Sequence, residues 1–204
     1  MPHRLYTIGH SNHDWVDFIA LLWKHEVHAV ADVRSRPVSM RHPQFSQPEI
    51  ETGLREAGIR YIFLGDELGG RPGDPNAYRA DGLVDYRARR KSHAFEQGLE
   101  RVLTEIEHDS LVLMCAEEDP LDCHRFLMVC PELAAAGVAP LHIRKGGRLE
   151  TQAEAEDRLL AATHMDAAAS GALFAGDRAA ALEDAYVAQA ERRAFRADPQ
   201  TVDY

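Results

Sequence analysis

Five short apolar runs, LYTIG (5–9), AVADV (29–33), RYIFL (60–64), LVLMC (111–115) and APLHI (139–143), recur along the chain with longer stretches of helical periodicity between them. A strand that is apolar at nearly every position has no face suited to water, so each run must be covered on both sides. Strands of this kind alternating with helix-length connections are the pattern of a parallel sheet with crossover helices. The expected fold is therefore α/β: a parallel sheet of about five strands with helices on both faces, plus a C-terminal helical extension.

The intervening segments supply the helices. Trp15, Phe18, Ile19 and Leu22 fall on one helical face, and Ser46 and Glu49 stand in capping-box relation ahead of a helix that Gly58 stops. Residues 86–107 read as one long helix, with Phe95, Leu99, Val102, Leu103 and Ile106 on one side. Phe126, Leu127, Cys130, Leu133 and Ala134 mark another, closed by Gly137. The segment 65–85, GDELGGRPGDPNAYRADGLVD, is too polar and too rich in Gly, Pro and Asp to be an element, and a loop of that length implies a function. After the turn RKGG (144–147), Thr151 and Glu154 form a second capping box opening an Ala-rich tail to about Arg196. The tail reads as two surface helices with residues 165–176 as linker and a frayed last eight residues. Leu159, Leu160, Phe174, Tyr186 and Phe195 mark the side that packs on the domain or on a second copy, which allows a homodimer through the C-terminal helices. The expected division is an α/β domain over 1–148 and an extension over 149–204.

Composition narrows the environment. No stretch approaches the roughly 20 apolar residues of a membrane span, so no membrane partner is expected. The N-terminus enters a strand directly, without a basic region and an apolar one, which implies a cytoplasmic protein. Three cysteines make no disulfide framework and are expected as thiols. A net charge of −10 disfavours broad adhesion to nucleic acid, so an anionic ligand must be bound locally.

Open parallel sheets bind ligands outside the carboxyl ends of their strands. Here those ends carry GHSN (9–12), RSRPVS (34–39) with Asp32 just inside its strand, GDELGGRP (65–72), CAEEDPLDCHRF (115–126) and RKGG. The opposite edge carries HEVH, EAGI, EHDS and AAGV, which are plain by comparison. Taken together, TIGHS, DVRSRPVS, ELGGRP, LMCAEEDPLDCHR and the His142–Ile143 pair resemble the bacterial and archaeal family of domain of unknown function 488 (DUF488), in its order and spacing over residues 5 to about 145. The resemblance implies an α/β domain that gathers these residues at one site; it implies no particular reaction.

Each candidate carries a functional and a structural reading. Cys123 sits where Asp122 would cap a helix, so the helix terminus with His124 and Arg125 would lower its pKa; four nearby carboxylates would raise it, and its spacing to Phe126 and Cys130 also suits a core thiol. His10 is a candidate general base or anion ligand, or an imidazole that satisfies the core. Ser11 caps a helix or donates to a ligand. Asp32 is catalytic or locked to Arg34 or Arg36. Glu118 is a candidate catalytic carboxylate or a salt-bridge partner. Arg34, Arg36, Arg71 and Arg125 reach the same sheet edge, where they bind an oxyanion or pair with Glu117 and Glu118. Gly70 permits close backbone approach beside Arg71. Cys115 and His124 complete the substrate-binding set. Counting six residues from Cys115 or Cys123 reaches Leu121 or Val129, not arginine, which excludes cysteine-phosphatase chemistry. Cys115 and Cys123 stand eight apart, so a zinc or iron site would need His124 and a distant His10 or His142; no metal ligand is assigned and the cofactor is left unknown.

The leading function is an enzyme acting on a small anionic or nucleotide-like substrate at the strand carboxyl ends, with His10, Arg34, Glu118 and Arg125 expected to line one cleft. The alternative is a non-catalytic module that binds nucleic acid or a nucleotide; the third reading is a metal-dependent hydrolase.

Overall fold

A computed structural model describes residues 4–166 and 175–197. Its centre is a six-stranded sheet of order β3-β2-β4-β1-β5-β6, comprising β1 (Leu5–Gly9), β2 (Ala29–Asp32), β3 (Arg60–Phe63), β4 (Leu111–Cys115), β5 (Leu141–Ile143) and β6 (Leu149–Thr151). The first five are parallel, and β6 pairs antiparallel with β5 at the edge. β6 is an addition to the expected five strands; LET is short and polar because an edge strand needs no continuous apolar run.

Side-chain alternation divides the core in two. Leu5, Ala29, Ala31, Leu111, Leu113 and Cys115 face one layer, which contains α3 (Gly65–Leu68), α4 (Tyr86–Arg90), α5 (His93–Ile106), α6 (Cys130–Ala135), α7 (Gln152–Ala162) and α8 (Ala175–Arg193). Tyr6, Ile8, Val30, Val112 and Met114 face the other, formed by α1 (Trp15–Lys24) and α2 (Gln47–Glu56). The chain therefore leaves β1 and β2 toward the second layer and leaves β4, which lies between them, toward the first. Diverging connections on adjacent strands open a crevice at their carboxyl ends, and this one flanks the end of β4.

Local details depart from the expected elements for identifiable reasons. The stretch 86–107 breaks into α4 and α5 because the Ser92 hydroxyl accepts from the Phe95 amide and starts a new helix. The segment at 126 begins as a π turn, Arg125–Val129, before α6. Pro131 has no N–H to offer the Leu127 carbonyl, and the Arg90 guanidinium donates to it instead at 2.8 Å. Ser46 precedes α2 without capping it, since its hydroxyl accepts from the Ser39 amide; Thr151 and Glu154 do form a capping box. Of the tail, Leu159, Leu160 and Tyr186 are buried against the first layer and Phe195 packs on it; Phe174 and most of the expected linker lie outside the described residues. Among the described residues no helix is long and apolar enough to cross a membrane.

Candidate functional site

A cleft of about 670 Å³ lies over the carboxyl end of β4. His10 and Arg34 line it on one side, Cys115, Glu117 and His124 on its floor, Gly70, Arg71 and Tyr86 opposite, and Arg36, Val38 and Met40 at its rim. Ser11, Asp32, Glu118, Cys123 and Arg125 are not part of that lining.

On the α1–α2 side, β1 runs on into the loop: the His10 and Ser11 amides donate to the Cys115 and Ala116 carbonyls, and Ser11 turns the chain at φ 44°. Asp32 is fully buried. Its Oδ1 accepts from the Arg34 amide and Nε, and its Oδ2 from Arg34 Nη2 at 2.6 Å and from the Tyr61 hydroxyl. Arg34 also donates to the Phe45 carbonyl and to His10 Nε2. His10 Nδ1 then carries the proton and donates to the Ser11 carbonyl, with the ring stacked on Phe45. Burial, and then the Arg34 charge, push the His10 pKa down to about 4, so the imidazole is neutral.

The other side is built on β4 and the loop behind it. Residues Pro120–Asp122 form a single 3-10 turn capped by Asp119, which returns Cys123 alongside Cys115. Cys123 itself is extended, and its carbonyl accepts the Phe126 and Leu127 amides. The expected cap at Asp122 is thus displaced by one residue, and Asp122 pairs with Arg193 of α8. His124 Nε2 donates to the Val33 carbonyl at 2.9 Å, which turns Nδ1 toward both thiols, 3.7 Å from Cys115 Sγ and 3.9 Å from Cys123 Sγ. The Cys115 thiol donates to Glu117 Oε2 at 3.1 Å.

Arg125, 1% exposed, lies below this group. It donates to the Glu117 and Glu118 carbonyls and, at 3.4 Å, to the Thr7 hydroxyl, which passes its own proton to His142 Nδ1. Among the described residues no carboxylate pairs with it. Thr7 shares its face with Leu5, so Arg125 approaches from the first layer whereas His10 leans on the second. Burial resists charge on Cys123, but hydrogen bonding from Cys115 and the charges of Arg125 and His124 outweigh it and hold this thiol well below its ordinary range. Cys115 is raised by its bond to Cys123 and by burial. Cys130 is raised by burial.

Two glycines make the approach possible. A Cβ on Gly9 would collide with the Glu117 carbonyl at 1.7 Å, and one on Gly70 would sit 2.9 Å from His124 Nδ1. The arginines divide into two kinds. Arg34 and Arg125 are buried and saturated by protein groups. Arg36 and Arg71 are exposed and meet no carboxylate within ion-pair distance among the described residues; Arg71 stacks over Phe195. Glu118 turns out of the cleft to Arg144 and the Lys145 amide.

The sequence groups Cys115, Cys123 and His124 only within a metal set that also calls on a distant His10 or His142; their contact is not readable there, because the 3-10 turn that brings residues eight apart together has no periodicity. Glu117 entered only as a salt-bridge partner, and Val38 and Met40 gave no signal beyond their place after β2.

A family model described as "Domain of unknown function DUF488" matches residues 14–129, more than half of the chain. Neither a curated protein nor a solved structure matches it.

Proposed function

Since the chain belongs to the DUF488 family, a grouping that carries no reaction, we propose from the site itself an enzyme that acts on a small anionic, nucleotide-like substrate. The observation that carries this reading is the pairing, in one cleft, of two guanidiniums that meet no carboxylate among the described residues with the Cys115 thiol and the His124 imidazole, behind which the Cys123 thiol is buried. Arg36 and Arg71 hold the anion; planar forks suit phosphate or carboxylate, and among the described residues no protein carboxylate competes for them. Val38 and Met40, 71% and 93% exposed at the rim, offer apolar contact to a ring attached to that anion. Cys115, Cys123 and His124 form the reacting centre, with Glu117 beside it. Asp32, Arg34 and His10 position the cleft wall, because their hydrogen-bonding capacity is spent on one another.

The test joins binding to turnover. A ligand bound only by the native state stabilises it by about 2.7 kcal/mol at a hundred times its Kd, which for a chain of this size raises the melting midpoint by roughly 5–10 °C. Phosphate, sulfate or a nucleoside phosphate should produce such a shift in the wild type and a smaller one in Arg36→Ala and Arg71→Ala, at matched ionic strength in chloride. A panel of phosphorylated substrates should then show turnover that Cys123→Ser abolishes. Equal shifts in all three proteins would remove the anion from this reading. Binding without turnover, with a steep salt dependence on single-stranded nucleic acid, would favour a binding module.

A further inference from the structure

We propose that Cys115, Cys123 and His124 form a binding site for one zinc ion, with Glu117 as a fourth, displaceable ligand. The inference deepens the reading above, since it names the cofactor of the same reacting centre.

Four observations carry it. The first is distance. With Zn–S near 2.3 Å and Zn–N near 2.05 Å, a tetrahedral site has edges of about 3.8 Å between sulfurs and about 3.6 Å between sulfur and nitrogen. The two sulfur-to-Nδ1 distances are 3.7 and 3.9 Å, and the three ligand atoms all lie within 4.8 Å of one another. The two sulfur–nitrogen edges need shifts of a few tenths of an ångström, and the sulfur–sulfur edge no more than about 1 Å, to close around an ion.

The second is orientation. A histidine ligand is normally fixed by a hydrogen bond from its other ring nitrogen. His124 Nε2 donates to the Val33 carbonyl, which turns Nδ1 to the sulfurs as the atom that would bind an ion once any proton on it is lost. Gly70 keeps that side of the ring open. The third is the fourth corner: Glu117 Oε2 lies 3.1 Å from Cys115 Sγ, on an exposed residue that lines the cleft, outside the close group of the other three ligand atoms, and its side chain must swing inward to reach an ion they hold. An anion entering between Arg36 and Arg71 can take its place.

The fourth is charge. Arg125 is a buried cation with no carboxylate pair among the described residues. Two thiolates, one carboxylate and a divalent ion sum to minus one, which Arg125 balances. The zinc reaction is balanced by proton release: whatever protons the two sulfurs and His124 Nδ1 carry leave as the Zn–S and Zn–N bonds form, so metal affinity falls in acid.

Cobalt(II) and zinc, added to chelator-stripped, fully reduced whole protein, test this. One equivalent of Co²⁺ should give the thiolate-to-cobalt charge-transfer absorption and the intense visible bands of a tetrahedral ion, and Zn²⁺ should bleach both. Cys115→Ser, Cys123→Ser and His124→Ala should each lose the charge-transfer intensity or the tetrahedral bands, whereas Cys130→Ala should keep both. Should a buried variant fail to fold, alkylation of the wild type decides: Zn²⁺ should slow modification of Cys115 and Cys123 by at least about tenfold, because a coordinated thiolate is a poor nucleophile, and leave Cys130 unchanged. No charge-transfer band in the reduced wild type, the same band in both serine variants, or alkylation indifferent to zinc would each overturn the proposal. So would rapid closure of a Cys115–Cys123 disulfide with no metal uptake. These readouts are independent of anion binding at Arg36 and Arg71, so the zinc site and the substrate reading can fail separately.

Discussion

On one side of β4, the Asp32 carboxylate, the Arg34 guanidinium and the His10 imidazole use up one another's capacity, with Tyr61 and Phe45 taking what remains. On the other side, two thiols and an imidazole nitrogen face each other across 3.7 and 3.9 Å, too long for strong bonds and too close for indifference. Each group sends two of its members to the same cleft, His10 and Arg34 from one and Cys115 and His124 from the other, yet one is saturated and the other holds ligand valence in reserve. Satisfied polar networks fix a shape. Unsatisfied ones wait for a partner. On the proposed reading, the difference separates the part of the cleft that holds geometry from the part that would bind and react.

The sharpest way to break this contrast is to open the saturated side. Asp32→Asn should leave the Arg34 charge buried without its counter-ion, at a cost of about 3–5 kcal/mol. Denaturant unfolding should show that loss, and Cys123→Ser in metal-free protein should cost less than half as much; equal costs would erase the distinction. Acid should probe the same side next. The His10 pKa is about 4 in the folded chain against 6.5 in the unfolded one, so the unfolded state binds the proton first. Stability is then full above about pH 6.5 and falls as the pH drops to about 4, by roughly 3 kcal/mol from this group. His142, lowered to about 3 by burial and then by Arg125, acts in the same direction over a wider window. Melting midpoints from pH 7 to pH 4 in His10→Gln should show a shallower decline than the wild type.

Gly70→Ala tests the open side. The new methyl would press on His124 Nδ1, so cobalt affinity should fall by roughly tenfold, with a stability change near 1 kcal/mol. The smallest effect belongs to the rim. Arg36→Ala should stay within about 0.5 kcal/mol of the wild type in unfolding and show its loss only in anion binding.

The strands were legible because a parallel strand buried on both faces must be an apolar run, and LVLMC has no other reading. β6 was not, since three residues at an edge obey no such rule. The saturated half was half legible: Asp32 inside a strand demanded a partner, and Arg34 stood two residues away, but Tyr61 and Phe45 arrive through tertiary packing alone. The thiol cluster was hidden by chain geometry. Asp122 looked like a cap and Cys123 like a first helical residue, whereas a proline-led 3-10 turn moved the helix start by one position and swung Cys123 back to the end of β4. Glu118 and Glu117 are adjacent in sequence and point to different neighbourhoods, a choice set by Arg144 and the Lys145 amide.

The loop that carries Cys123 is held from behind by residues far later in the chain. Asp119 is bound by Arg144 and Arg158, both of which also reach Glu150, and Asp122 by Arg193. Synthesis proceeds from the N-terminus, so these anchors leave the ribosome after both thiols are already outside it. α8, made well after both thiols, is what ties Asp122 in place beside Cys123. A nascent chain stalled before α8 would carry Cys123 on a loop that lacks its Asp122–Arg193 tie, and the order of synthesis sets a window in which that sulfur meets metal or oxidant before the tie has formed.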